Sequence, residues 1–91
     1  MALQFIAGPG QFNESTNRVR FFALDDQQSV MFATTREALE DLAERESLSR
    51  AELEETFDRH RERIERCARR MYTGPTMAGG AYVIGPGMIG D

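Results

Sequence analysis

The stretch "RVRFFAL", residues 18–24, alternates in the way that is typical of a β-strand. One face carries Val19, Phe21 and Ala23, and the other carries Arg18, Arg20 and Phe22. A polar connector of hairpin length follows at 25–28, "DDQQ", and then "SVMFAT" at 29–34 returns with Val30 and Phe32 on one face. The sequence therefore predicts a β-hairpin over these residues.

Two further strands are predicted outside the hairpin. Leu3, Phe5 and Ala7 alternate weakly, until "GPGQ" at 8–11 ends the pattern and "NEST" at 13–16 forms a turn. Near the other end, "AYVI" at 81–84 is short, contains β-branched residues and is bounded by glycines. We expect it to be a final strand.

The first predicted helix begins with "TTRE" at 34–37, a capping box with a hydroxyl first and a carboxylate at the fourth position. Its narrow apolar face consists of Ala38, Leu39, Leu42 and Ala43. We expect this helix to end near Arg45.

The second predicted helix carries the strongest pattern in the chain. In "LSRAEL", Ser49 and Glu52 form a capping box, and Leu48 and Leu53 form a hydrophobic staple. Residues along one side of the helix then recur at intervals of 4, 3, 4, 3 and 4, a row that we call the seam: Leu53, Phe57, His60, Ile64, Cys67 and Met71. Gly74-Pro75 ends the helix. Residues 50–72 would span roughly 34 Å as one helix.

These elements predict a single α+β domain over residues 1–91, with a flexible tail at 85–91. The predicted sheet is small and antiparallel, and it contains the N-terminal strands, the hairpin and one C-terminal strand. Two helices pack on one of its faces, and the second helix is long.

Composition excludes several kinds of chemistry. All eleven basic residues are arginine, so neither a P-loop lysine nor a Schiff-base lysine exists. The single cysteine cannot form an internal disulfide, and no signal peptide or membrane helix is evident, which predicts a cytoplasmic protein. His60 and Cys67 are seven residues apart on one helix, about 10 Å along its axis, so they form neither a catalytic dyad nor a metal site. We expect no catalytic residue, no metal and no cofactor.

A row of arginines follows one flank of the seam: Arg59, Arg63, Arg66 and Arg70. Residues 59–70 hold six arginines and two glutamates, a local charge of +4 in a chain of net charge −4. Partners for ion pairs four residues apart are available in Glu55–Arg59, Glu62–Arg66 and Glu65–Arg69. We interpret the row as a solvated helix face; the alternative is a contact with nucleic-acid phosphates.

A candidate interface lies toward the end of the long predicted helix. Strands of six or seven residues reach roughly 20 Å, so the sheet would leave part of the seam uncovered. The residues in question are Ile64, Cys67, Met71 and Tyr72. Either residues 77–88 fold back over them or a second copy of the chain covers them, which predicts a homodimer in the second case.

The order and spacing of several motifs resemble a bacterial family of proteins of unknown function, domain-of-unknown-function family 1488. The matching residues are Phe5, Val19, Phe21, Ala38, Leu39, Leu42, Phe57, Arg61, Ile64, Glu65, Ala68 and Tyr72, within residues 1–84. The hairpin departs from the family, where Asp-Gly is common, and residues 85–91 lie outside its pattern. The resemblance implies a small cytosolic α+β protein and brings no catalytic residues.

The sequence thus favours a non-catalytic interaction or regulatory module that binds a protein partner or a second copy of itself. The alternative is a nucleic-acid-associated regulator that uses the arginine row. The two hypotheses differ in whether DNA or RNA binds in a salt-dependent manner.

Overall fold

The protein is known here from a computed structural model, which describes residues 3–8, 10–74 and 80–89. In the described chain the elements are β1 (Leu3–Phe5), β2 (Gln11–Asn13), β3 (Arg18–Asp25), β4 (Gln28–Thr35), α1 (Arg36–Ala43), α2 (Arg50–Arg59), α3 (Arg61–Met71) and β5 (Tyr82–Ile84). The fold is α+β, as the sequence predicts, with a mixed sheet and three helices in place of an antiparallel sheet and two.

The predicted hairpin is confirmed and forms the centre of the sheet. β3 and β4 pair antiparallel from Arg18↔Thr35 to Asp25↔Gln28, and Asp26 in the turn has a positive φ of 56°. β1 and β2 both pair antiparallel with the other edge of β3. The strand β2 was not predicted, because three residues next to a glycine-rich turn carry too little alternation to be recognised.

The predicted C-terminal strand is confirmed as β5, but its direction differs from the prediction. β5 pairs with β4 in parallel, with Phe32 opposite Tyr82 and Thr34 opposite Ile84. Three helices connect these two strands, and a crossover of that length returns the chain in its original direction. The sheet is therefore mixed.

All three helices lie on one face of the sheet and form the core with it. The alternate residues of β3 and β4 that face the helices are buried, namely Val19, Phe21, Ala23, Val30, Phe32 and Thr34. Opposite them, the helices contribute Leu39, Leu53, Phe57, Ile64, Cys67 and Ala68. Before β2, Gly10 is also buried, and its backbone lies close to Phe57 and Val19.

The start of α1 is shifted by one residue, and the predicted capping box of Thr34 and Glu37 does not form. Thr35, not Thr34, is the N-cap of α1, and its Oγ1 accepts a hydrogen bond from the Ala38 N–H at 3.2 Å. Thr34 remains in β4 with its side chain buried. The capping box that begins α2 is confirmed: Ser49 Oγ accepts from the Glu52 N–H at 3.2 Å, and the Glu52 carboxylate accepts from the Ser49 N–H at 2.9 Å.

The predicted long second helix is wrong in one respect, because it breaks at His60. This residue has φ −106° and ψ 17°, so α2 ends before it and α3 begins after it. The hydrogen bonds from His60 N to Thr56 O and from Ile64 N to His60 O are both 3.1 Å, which explains why the apolar periodicity continues. The break separates a segment that contacts β2 and β3 from one that contacts β5.

The chain after β5 returns to the helical side. Ile89 packs against the core, and the Cys67 thiol donates to the backbone oxygen of Met88 at 3.2 Å. Of the predicted flexible tail at 85–91, residues 85–89 are described, and this part contacts the core; Pro75 of the predicted helix stop lies outside the described residues.

Candidate functional site

The candidate interface at the end of the seam belongs to the core of the chain. Ile64, Cys67 and Tyr72 are buried, and Met71 is partly buried against the same cluster. The Tyr72 hydroxyl donates to the Asp25 carboxylate at 2.6 Å, and this bond raises the pKa of the phenol to about 12. Because β5 and residues 85–89 cover this end, the reason for expecting a second copy there is removed.

The predicted arginine row is divided between two helices. Arg59 ends α2, whereas Arg63, Arg66 and Arg70 belong to α3 beyond the break at His60. Arg59 donates to Glu55 at 3.0 Å, the predicted pair. In the described chain, Glu62 and Arg66 form no ion pair.

Two arginines outside that row hold the N-terminal segment instead. The guanidinium of Arg61 donates to the backbone oxygens of Ile6, at 2.8 Å, and Gly8, and its Nε donates to Glu65 at 2.8 Å. Arg69, which we paired with Glu65 from the sequence, donates to the Leu3 oxygen at 3.0 Å. Its guanidinium carbon lies 4.9 Å from the centroid of the Phe5 ring. The contacts with the backbone oxygens and with Phe5 join segments far apart in the chain, so local spacing could not reveal them.

The structure places Cys67 in the core, as expected, but it places His60 at the break between α2 and α3 and not within one helix. Burial raises the pKa of the Cys67 thiol, which disfavours the reactive thiolate. Burial, together with the charges of Arg63 and Arg59, lowers the pKa of His60. No group of three potential metal ligands occurs within residues 3–8, 10–74 and 80–89. None of the helices described is long and apolar enough to cross a bilayer.

A groove of about 370 Å³ lies between the end of α1 and α2. Leu42, Ala43 and Leu48 contribute apolar surface to it. Most of its charged lining is paired, since Arg45 binds Glu52 at 2.8 Å and Arg59 binds Glu55, while Glu44 forms no ion pair in the described chain. The groove therefore offers a ligand little unpaired charge.

The opposite face of the sheet is different, because no described helix packs on it. We call it the open face and define it by the outward residues of β3, β4 and β5: Arg18, Arg20, Phe22, Leu24, Ser29, Met31, Ala33, Thr35 and Val83. Phe22 lies opposite Met31 in the register, and Ala33 lies between Arg20 and Val83. Apart from Ala33, the apolar residues of this face are only partly buried. The open face thus presents a continuous apolar strip beside two arginines.

A cleft of about 260 Å³ borders the open face where β1 and β2 separate along the edge of β3. Its lining includes Ile6, Gln11, Arg20, Phe22 and Arg61. The Nε atom of Arg20 is buried and has no hydrogen-bond partner in the described chain. The sequence placed Arg20 and Phe22 on the face of the strand opposite Val19, Phe21 and Ala23, but the lack of a helix over them was not predicted.

The fold defines a small α+β domain in which helices cover one face of the sheet and no described helix covers the other. The model of the family described as "Protein of unknown function (DUF1488)" matches residues 3–84, so the chain belongs to this family, and the resemblance in its motifs is confirmed. Among curated proteins, none matches this sequence.

A solved structure shows the same fold. The chain is similar to a protein of unknown function from the DUF1488 family of Shewanella loihica PV-4, known from a crystal structure, with a TM-score of 0.75 and 15% sequence identity. The similarity covers 90% of each chain. At this identity the comparison supports the fold alone.

Proposed function

We propose that the protein is a non-catalytic interaction module that binds another protein through the open face. The observation that supports this proposal is the apolar strip of Phe22, Leu24, Met31 and Val83, which no described element covers. Antiparallel sheets with one wet face normally carry polar residues there. Contiguous exposed apolar surface usually indicates a binding site.

The same proposal places the protein in the cytoplasm of a bacterium. The support is the single Cys67, which has no disulfide partner in the sequence and suits a reducing compartment. A regulatory role through the partner agrees with this location and with the small size of the domain.

Nucleic-acid binding through Arg59, Arg63, Arg66 and Arg70 is the less supported alternative. The row is divided by the helix break, and Arg59 is ion-paired. Phosphate contacts need several cations along one continuous surface. We therefore retain this alternative only as an outcome of the test.

The test is a site-specific photo-crosslink in living cells of the native host. A photoreactive phenylalanine analogue replaces Phe22 on the open face or, as the control, Met88, which is 43% exposed on the helical side. We expect protein adducts from position 22 and few from position 88. Equal adduct yields at both positions would contradict the proposal, and adducts that a nuclease removes would favour the alternative.

A further inference from the structure

The open face is free of acidic residues, although the chain has 15 of them and a net charge of −4. In the described chain the acids lie in turns and loops, on helices, or at Asp25, which binds Tyr72 on the other side. The two charges of the open face are Arg18 and Arg20, and neither forms an ion pair within 4.0 Å in the described chain. The face is therefore apolar and positive on an acidic protein.

Arg20 is the most informative residue of this face. Its neighbour in the cleft, Arg61, already has three acceptors within the chain, namely two backbone oxygens and the Glu65 carboxylate. Arg20 Nε, by contrast, is shielded from water and has no acceptor in the described chain. The terminal nitrogens of the same guanidinium also have no acceptor in the described chain, so a carboxylate that enters the cleft can accept hydrogen bonds from them.

The charge of the face decides which occupant fits. A second copy that packed face to face would supply no carboxylate to Arg18 or Arg20, because the residues that define the open face include no acid. Their charges would be taken out of water without a partner, which is unfavourable. Single-stranded nucleic acid would supply phosphates, but it stacks its bases on several aromatic rings, and Phe22 is the one aromatic residue among those that define the open face.

We propose that the open face binds an acidic, apolar segment of a partner protein, one carboxylate of which enters the cleft beside Phe22 and accepts hydrogen bonds from Arg20. The guanidinium fork matches the geometry of a carboxylate. Apolar side chains of the same segment pack on Phe22 and Met31. This inference rests on the proposed function and names the chemistry of its partner.

The first test is selection of short random peptides on the immobilised full chain, followed by fluorescence anisotropy with the selected peptides. We expect the selected peptides to combine Asp or Glu with large apolar residues. Arg20→Gln should weaken their binding about 10-fold or more, because it removes a charge-assisted hydrogen bond. The control Arg66→Gln, on the exposed side of α3, should leave binding unchanged.

Other outcomes of the same experiment distinguish a failure of this inference from a failure of the proposed function. Peptides without acidic residues, whose binding needs Phe22 but not Arg20, would overturn the inference and leave the proposed function standing. Binding that neither Phe22→Ser nor Arg20→Gln changes would overturn both, as would the failure to select any peptide. Circular dichroism of each variant establishes that it is folded before its binding is compared.

Two other occupants are tested with the same variants. A single-stranded DNA oligonucleotide that binds more tightly than the peptides and is lost in Arg20→Gln would replace the inference with nucleic-acid binding. Light scattering that shows a dimer, split by Phe22→Ser, would replace it with a second copy. A monomer without oligonucleotide binding is the expected result.

Discussion

Phe21 and Phe22 are neighbours in the chain, yet they lie on opposite faces of β3 and have different surroundings. Phe21 is buried, and the centroid of its ring lies 5.3 Å from that of Phe32 and 5.1 Å from that of Phe57. Phe22 is only partly buried, lies opposite Met31 and borders the cleft at Arg20. The Phe21 ring therefore packs within the core, while the Phe22 ring remains partly exposed on the open face.

This difference separates stability from binding. Side chains on the covered face are surrounded by three helices, so their truncation leaves cavities. Side chains on the open face contact only their neighbours in the sheet, so their truncation changes a surface. The following predictions measure how far the two faces are independent.

The largest effect is expected at the centre of the covered face. Phe57→Ala should lower the free energy of unfolding by roughly 3–5 kcal/mol, because the ring is fully buried between Phe21 and Gly10. Met31→Ala on the open face is the control and should cost less than about 1 kcal/mol. Chemical denaturation measures both; similar losses would show that the two faces are equally important for stability.

Gly10→Ala should be the next largest change. A Cβ at this position would lie 2.6 Å from both a Phe57 ring carbon and a Val19 methyl, so packing must shift, at a cost of about 1–3 kcal/mol. Gly85→Ala is the control, because its nearest contact would be the Met88 sulfur at 3.8 Å. Equal melting temperatures of Gly10→Ala and the wild type in thermal denaturation would contradict the close packing of Phe57 and Val19 against Gly10.

High pH should weaken the end of the sheet where Tyr72 meets Asp25. The raised pKa of Tyr72, about 12, keeps its phenol protonated in the folded state after the unfolded chain has ionised near pH 10. The free energy of unfolding should therefore fall between pH 10 and pH 12. Tyr72→Phe should reduce this slope, whereas Tyr82→Phe, whose hydroxyl donates to the Gly74 oxygen, is the control. An unchanged slope in Tyr72→Phe would contradict this account.

The smallest effect distinguishes two adjacent threonines. Thr34 Oγ1 is buried and has no hydrogen-bond partner in the described chain, so Thr34→Val should stabilise the protein by about 1 kcal/mol. Thr35→Val removes the N-cap of α1 and should destabilise it by about 1 kcal/mol. Denaturation midpoints that move in the same direction would mean that one of these roles is misassigned.

The sequence predicts the hairpin and the start of α2 well, because both depend on local patterns. Alternation identifies β3, and the side chains of Ser49 and Glu52 identify the start of α2. The break at His60 has no such signal, since neither glycine nor proline lies near it. It depends on how the helical segments pack against different strands, which is a property of the whole fold.

The candidate site was predicted least well, and the reason is physical. Exposure of Phe22 follows from the alternation of β3, but the absence of a described helix over it depends on the path of the whole chain. The roles of Arg61 and Arg69 depend on contacts with Ile6, Gly8 and Leu3, more than fifty residues away. Spacing along one helix carries no information about such contacts.

The most direct measurement compares Phe21→Ala with Phe22→Ala, for both stability and binding of a selected acidic peptide. We predict that Phe21→Ala lowers the free energy of unfolding by about 3–5 kcal/mol, whereas Phe22→Ala changes it by less than about 1 kcal/mol and abolishes peptide binding. A Phe22→Ala variant that is as unstable as Phe21→Ala, or that is stable and still binds the peptide, would contradict the division of the sheet into a structural face and a binding face.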